Sequence, residues 1–403
     1  MLIKTSFIKR NYYGYIKLLE IIFLLLIYIR VKIEKTHNLL LNQDLIDENE
    51  VKLYPFYEII NIHIDNKTIL IFEPNSFHYE CTPGYAKYFV DLGYNVDVLM
   101  QKSGQDSFCL FEQKEKIRLF LYDDLKEINF FSFNLSYIFN FYSFIIVQTV
   151  STAKIKTISN LGLLNHRNVI YVFHYTYYYK KLNYFKYNIN QNRIWILGNF
   201  QLGLRVVPHY IGKMKLRDKN KKTRFFTVST SSRNYNNLIA ASQRIKEENL
   251  NFDIVVVGKS KKLSIKNINE KIKKNFLFSY RINFYTLYKL LQSSDFIILT
   301  MDPDNKGDES YKNQRVTGAA QLSYGFLKPV LINEYYKYIY NMTKENSFLY
   351  NKNNFYNIMK EAVLLNNDKY KIMQKNLINV EKFFYNYSIN NIKRTINSLL
   401  DNR

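Results

Sequence analysis

Short apolar runs recur along this chain, each followed by a polar loop, a helical stretch and another apolar run. That alternation limits the fold more than any other feature. Residues 67–72, 95–100, 144–147, 169–173 and 193–197 form one series, and 225–228, 252–257, 276–278, 294–300 and 328–332 form a second. Runs this short and apolar on both faces predict buried strands of parallel sheets joined by right-handed helical crossovers. At 403 residues the chain is too long for one ordinary domain, and a hydrophobic content of 47% fills two cores. The reading is therefore α/β, with two Rossmann-like domains at residues 67–207 and 223–367. A linker at 208–222 joins them, and a tail at 368–403 has apolar residues at helical spacing (Ile372, Met373, Leu377, Val380, Phe383, Phe384) and is expected to pack back across both.

Thr317-Gly318-Ala319 is the most specific local signal. The strand at 294–300 leads into a polar loop holding Asp302, Asp304, Lys306, Asp308, Glu309 and Arg315. A small Thr-Gly turn then opens a short helix before the strand at 328–332. A helix that starts on such a turn leaves free N–H groups and a positive dipole end facing outward, a ready site for phosphate.

Further segments carry a family resemblance. Arg233-Asn234-Tyr235-Asn236-Asn237-Leu238-Ile239-Ala240-Ala241 is similar to the "K-G-x-x-x-L-I-x-A" segment of the large retaining family of glycosyltransferases with two Rossmann domains (GT-B, group 1 or family 4-like). Val206-Val207-Pro208-His209-Tyr210-Ile211-Gly212 resembles the connection that precedes the second domain in those enzymes. The opening unit, from the strand at 67–72 through Thr82-Pro83-Gly84 to the strand ending at Met100, resembles their start. The likeness covers roughly residues 67–390. It implies a GT-B fold with domains facing a central cleft, and transfer of a sugar from a nucleotide-diphosphate donor to a glycan or lipid-linked saccharide. Cell-surface polysaccharide or lipopolysaccharide synthesis is the implied setting, and a nucleotide-sugar epimerase of the same layout and a degenerate transferase serving as an assembly partner are the alternatives.

In that frame Thr317 and Gly318 hold the leaving diphosphate. Arg233 stands where the family has a phosphate-binding lysine, and a guanidinium fork suits a diphosphate at least as well. Lys259 and Arg281 are further donor-binding candidates. The family's later glutamate is missing: the region reads Gly318-Ala319-Ala320-Gln321, which leaves Gln321 to bond a ribose hydroxyl. In the first domain His174 follows a strand and resembles the histidine placed beside the donor sugar, or else belongs to an aromatic cluster with Tyr171, Tyr175 and Tyr177. His78 and Glu80 lie on the loop after the first strand, at the carboxyl edge where open α/β sheets bind ligands. Glu80 is a candidate general base for an inverting mechanism, with a pKa raised by partial burial, or a cap for the helix that follows. Asp302-Pro303-Asp304 is a D-x-D pattern, but it comes late in the chain, with a turn-forming proline, and phosphates already have fixed cations. No metal or other cofactor is expected.

Composition narrows the partners. The formal net charge is +23, and Lys, Asn, Ile, Tyr and Phe are inflated together, as an AT-rich coding sequence produces. A basic surface still favours nucleotide sugars and anionic membrane surfaces, and no nucleic-acid-binding motif accompanies it. Two cysteines, Cys81 and Cys109, exclude a Cys-based zinc site and a disulfide framework, and suit a reducing cytoplasm. Residues 1–66 stand apart: an apolar run at 21–29, too short to span, is flanked by Lys17, Arg30 and Lys32. No small-residue cleavage site follows. The expectation is a basic apolar helix lying peripherally on the cytoplasmic face of the cell membrane.

Overall fold

The computed structural model describes residues 51–401, except 185–188, 199, 201, 209–214, 229–232, 259–267 and 281. The apolar run at 21–29, Lys259 and Arg281 therefore lie outside the described residues.

Two parallel sheets follow one another. The first holds β1 (Lys52–Pro55), β2 (Thr68–Phe72), β3 (Asn95–Gln101), β4 (Ile117–Tyr122), β5 (Ile145–Val147), β6 (Val169–Phe173), β7 (Ile194–Ile196) and β8 (Leu204–Arg205), in the spatial order β1-β4-β3-β2-β5-β6-β7-β8. The second holds β9 (Thr223–Val228), β10 (Phe252–Val257), β11 (Phe276–Ser279), β12 (Phe296–Leu299), β13 (Val330–Asn333) and β14 (Ser347–Tyr350), in the order β11-β10-β9-β12-β13-β14. Central strands such as β2, β6, β10 and β12 are buried along their whole length, as strands covered by helices on both faces must be.

The order of each sheet reverses once. In the first, the chain builds outward from β2 through β3 and β4, then returns to place β5 on the other side of β2. In the second, β10 and β11 lie on one side of β9, and β12, β13 and β14 on the other. At such a reversal adjacent loops leave in opposite directions and open a crevice at the carboxyl ends of the strands. The loops after β2 and β5 meet at the first crevice, and those after β9 and β12 at the second.

Two devices fix one domain on the other. The helix Asn367–Leu400 starts where Asn366 accepts a bond from the Lys369 N–H. Its Tyr370, Met373, Leu377 and Phe384 enter the second-domain core, and its Ile392, Ile396 and Leu399 enter the first. Trp195 Nε1 donates to Thr395 Oγ1 (3.0 Å) and the Val207 N–H to Ser388 Oγ (3.0 Å). The connection between domains packs just as closely: a Cβ on Gly84 would stand 2.6 Å from the Pro208 backbone, so only glycine fits there.

The structure differs from the sequence reading at the sheet edges. The first sheet begins at Lys52 rather than Lys67, because β1 adds to the outer side of β4, with Phe56 and Ile59 sealing the core beside it. The segment expected at 1–66 thus gives its last residues to the first domain. β4, β8, β14 and the helix Phe355–Leu364 also went unforeseen. Neither Glu80 nor Thr82 caps the helix Thr82–Asp91, which has no side-chain cap.

Candidate functional site

At the first crevice, β2 and β5 end in a knot of buried polar side chains. Glu73, the residue after β2, is completely buried. Its Oε1 accepts from the Asn75 N–H (2.8 Å) and Asn75 Nδ2 (3.1 Å), and its Oε2 from Thr149 Oγ1 (2.6 Å). Burial, against these hydrogen bonds, pushes its carboxyl well above the usual carboxylate range. Thr149 Oγ1 lies 3.2 Å from His174 Nε2, and the His174 ring lies 4.3 Å from that of His78 between centroids. Burial, and then the neighbouring His78 charge, hold His174 well below the ordinary histidine pKa, so it is a neutral imidazole. His78 sits at φ 68°, a left-handed backbone that turns the chain back toward the cleft, and its Nδ1 lies 3.4 Å from Glu80 Oε1.

Glu80 departs from expectation. Burial alone would raise its pKa, but the hydrogen bond and charge of His78 outweigh it and hold the carboxyl below its ordinary range. Glu80 is therefore an anion whose basicity His78 reduces, not an acid raised toward neutrality.

The second crevice supplies the opposite charge. Thr317 precedes the helix Gly318–Phe326 with no side-chain cap. Its N–H donates to Tyr340 Oη (3.0 Å), and its hydroxyl accepts from Arg233 Nη2 (3.0 Å). The N–H groups of Gly318 and Ala319 are left as the uncapped donors of a first helical turn. Arg233 is only 2% exposed, yet its Nε and Nη1 have no hydrogen-bond partner. A buried guanidinium with two idle donors beside an uncapped helix start is arranged for an anion.

The crevices face each other. A Cβ built on Gly318 would stand 3.0 Å from Glu80 Oε1, which puts the carboxylate of the first domain against the turn of the second. The loop after β12 reaches across as well: the Thr176 N–H donates to the Gln314 carbonyl (3.0 Å), and Tyr175 bridges to Arg315. His78, Glu80, His174, Arg233, Thr317 and Gly318 are thus brought to one cleft. Gln321 is nearby but buried, accepting from Cys81 Sγ at 3.7 Å, with its Nε2 unpartnered. Asp302 Oδ1 accepts from the Asp304 N–H (3.0 Å), and the Asp304 carboxylate faces Lys352 (3.9 Å). Asp308 is buried and accepts from the Asp302 N–H (3.2 Å) and Asn305 Nδ2 (2.8 Å). Among the described residues no cluster of three His, Cys, Asp or Glu is placed to hold a metal ion.

Four residues of the cleft were given no role from sequence, Arg315 being named only as a member of its loop. Glu73 and Thr149 have no motif around them, and only the strand order brings them together. Arg315 stacks on Tyr311, with the guanidinium 4.2 Å from the ring centroid, while Arg233 lies 5.8 Å from the same ring. That shared aromatic keeps two cations on one side of the turn.

No protein-family model and no curated protein matches the sequence. Solved structures do. The chain is similar to AviGT4, a glycosyltransferase involved in avilamycin A biosynthesis, at 11% identity over 83% of this chain and 98% of that one, with a TM-score of 0.50. It also aligns with a glycosyltransferase from Rickettsia africae ESF-5 (12% identity, 84% of this chain and 100% of that one, TM-score 0.46). Anabaena HepE, solved with UDP and glucose, aligns at 10% identity over 85% of this chain and 100% of that one, with a TM-score of 0.46. At these identities the likeness carries the fold alone. Two parallel-sheet α/β domains with their loops meeting at a cleft give this chain the GT-B architecture.

Proposed function

We propose that this chain is a glycosyltransferase that moves a sugar from a nucleotide-diphosphate donor to a hydroxyl of a glycan or lipid-linked saccharide. The observation that carries the reading is Arg233: nine-tenths buried and more, bonded to Thr317 through Nη2, and without a hydrogen-bond partner on Nε and Nη1. The leaving diphosphate would rest on the Gly318 and Ala319 N–H groups and on Arg233, with Arg315 as a second cation. Fixed donors of this kind stabilise charge developing in a transition state without reorganising, and no step needs a metal. The donor sugar would lie toward His174, whose neutral imidazole can bond a sugar hydroxyl.

Glu80 occupies the approach to the turn in the free protein. A diphosphate seated there repels the carboxylate, so donor binding swings Glu80 away from Gly318 and toward the acceptor hydroxyl, where it is the base nearest to the reaction. Retention of anomeric configuration is the outcome proposed, on the strength of the second-domain resemblance; direct attack by an acceptor that Glu80 deprotonates would invert it instead, and the configuration of the product separates the two. The acceptor class and a role in cell-surface polysaccharide or lipopolysaccharide synthesis rest on that resemblance too. Attachment to the cytoplasmic membrane face rests on the basic flanks of the run at 21–29. No helix among the described residues is long and apolar enough to cross a membrane.

Incubating the purified chain with a panel of nucleotide sugars tests the reading. Release of nucleoside diphosphate from one donor, with free sugar or a glycosylated acceptor, is the expected result. Interconversion of the donor sugar without diphosphate release would mark an epimerase instead. Binding without turnover of any donor would mark an assembly partner.

A further inference from the structure

The knot at the first crevice holds more polar machinery than a loop needs. The Glu73 carboxylate is fully buried, and it meets hydrogen-bond donors rather than a cation. Thr149, which links it to His174, is a β-branched residue held at φ 53°, a conformation such side chains avoid. Asn75 pins it there: its Nδ2 donates to the Thr149 carbonyl (2.6 Å) and to Glu73 Oε1. Backbone strain kept in place by a buried network is the arrangement expected where one hydroxyl must point in one direction.

The direction matters because a hydroxyl has a single proton. Thr149 Oγ1 donates that proton to Glu73 Oε2. Its lone pairs are what remain for His174 Nε2, 3.2 Å away. His174 can complete that contact only by carrying its own proton on Nε2, which leaves Nδ1 bare. We propose that Glu73, in its carboxylate form, is a positioning residue which, through Thr149, fixes the tautomer of His174 and so makes Nδ1 a hydrogen-bond acceptor. The carboxylate is essential to the polarity. An amide at position 73 keeps its oxygen under the two Asn75 donors and turns its NH₂ toward Thr149. The Thr149 hydroxyl then donates to Nε2, and the His174 proton moves to Nδ1.

The groups that surround Glu73 are Glu80 and the side chains of Tyr79, Tyr85, Tyr122 and Cys81, none of them a cation. Burial raises the pKa of this carboxyl, so the comparison is made across rising pH, the Nε2–H form of the wild type being the one expected as the carboxyl ionises. The chain has six histidines. Long-range ¹H–¹⁵N spectra of ¹⁵N-histidine-labelled full-length protein report each tautomer, with His174→Asn identifying the signal. Wild type is expected to show Nε2–H, and Glu73→Gln to show Nδ1–H. Thr149→Ser keeps the wild-type pattern, while Thr149→Val gives a mixture. The Thr149 pair decides the matter alone if Glu73→Gln does not fold. One unchanged tautomer in wild type and Glu73→Gln, or in Thr149→Ser and Thr149→Val, overturns the proposal.

The catalytic consequence rests on the sugar-transfer reading. With a donor in hand, Glu73→Gln lowers kcat at least about tenfold, the worth of one hydrogen bond turned repulsive, with KM for the donor nearly unchanged. The tautomer is read without substrate, so it stands or falls separately from that reading.

Discussion

Replacing Arg233 with Met separates an anion site from a structural contact, because the two make opposite predictions about stability. In the free protein the guanidinium makes one bond, to Thr317, and leaves Nε and Nη1 unpartnered at 2% exposure. Losing the bond to a neutral hydroxyl costs about 1 kcal/mol, whereas each buried unpaired donor removed returns roughly 1–3 kcal/mol. Met fills similar space without polar atoms. The balance favours the variant by about 1–5 kcal/mol, and at roughly 2–4 °C per kcal/mol its Tm rises by about 2–20 °C. Nucleotide binding moves the other way. Hydrogen bonds to a charged partner contribute about 1.5–3 kcal/mol, so affinity for nucleoside diphosphate falls roughly 10- to 140-fold at 1.4 kcal/mol per decade. Thermal denaturation with and without nucleotide, alongside calorimetric titration, reads both quantities. A variant that is several kcal/mol less stable yet binds diphosphate normally would refute the reasoning and make Arg233 part of the core.

Three further outcomes follow from the same geometry. Gly318→Val places a branched side chain where a Cβ already stands 3.0 Å from the flexible end of Glu80; the fold should survive, as circular dichroism would show, while diphosphate affinity drops about tenfold or more, and normal binding would misplace the donor site. Transfer should continue in excess chelator, since fixed cations hold the diphosphate; complete loss that added Mg²⁺ or Mn²⁺ restores would make Asp302 and Asp304 ligands. Deleting residues 1–50 should release the protein from anionic vesicles without unfolding it, because the described cores are built from residue 51 onward. Each basic residue near the surface contributes about 1 kcal/mol of that attachment, which salt screens, while the apolar run is not screened, so high salt weakens it only in part; full-length protein that ignores vesicles at low salt would contradict the membrane reading.

Sequence and structure agree most where burial is two-sided. Runs such as Val169–Phe173 and Phe252–Val257 are apolar throughout because helices cover both faces, and that pattern is legible without coordinates. Edge strands lose it: β1 is mostly exposed and carries Lys52 and Pro55, and β8 has two residues. β4 was readable in principle, since Ile117, Leu119, Phe120 and Tyr122 are buried around a half-exposed Arg118. In the site, the Thr317-Gly318 turn and Arg233 were visible because local chemistry marks them. Glu73 and Thr149, 76 residues apart, were not, because only the reversal of strand order at β2 and β5 brings them within 2.6 Å. The sign of the Glu80 shift was missed for a related reason: His78, whose left-handed φ no motif announces, supplies the opposing hydrogen bond and charge.

The central claim is that a nucleotide diphosphate sits on the Thr317-Gly318 turn. The most direct measurement is an experimental structure of the chain with nucleoside diphosphate bound. Phosphate oxygens should lie within hydrogen-bond distance of the Gly318 or Ala319 N–H and of Arg233 Nε or Nη1, with the Glu80 carboxylate displaced from Gly318. A diphosphate bound elsewhere, with Glu80 still against the turn and Arg233 still idle, would contradict it.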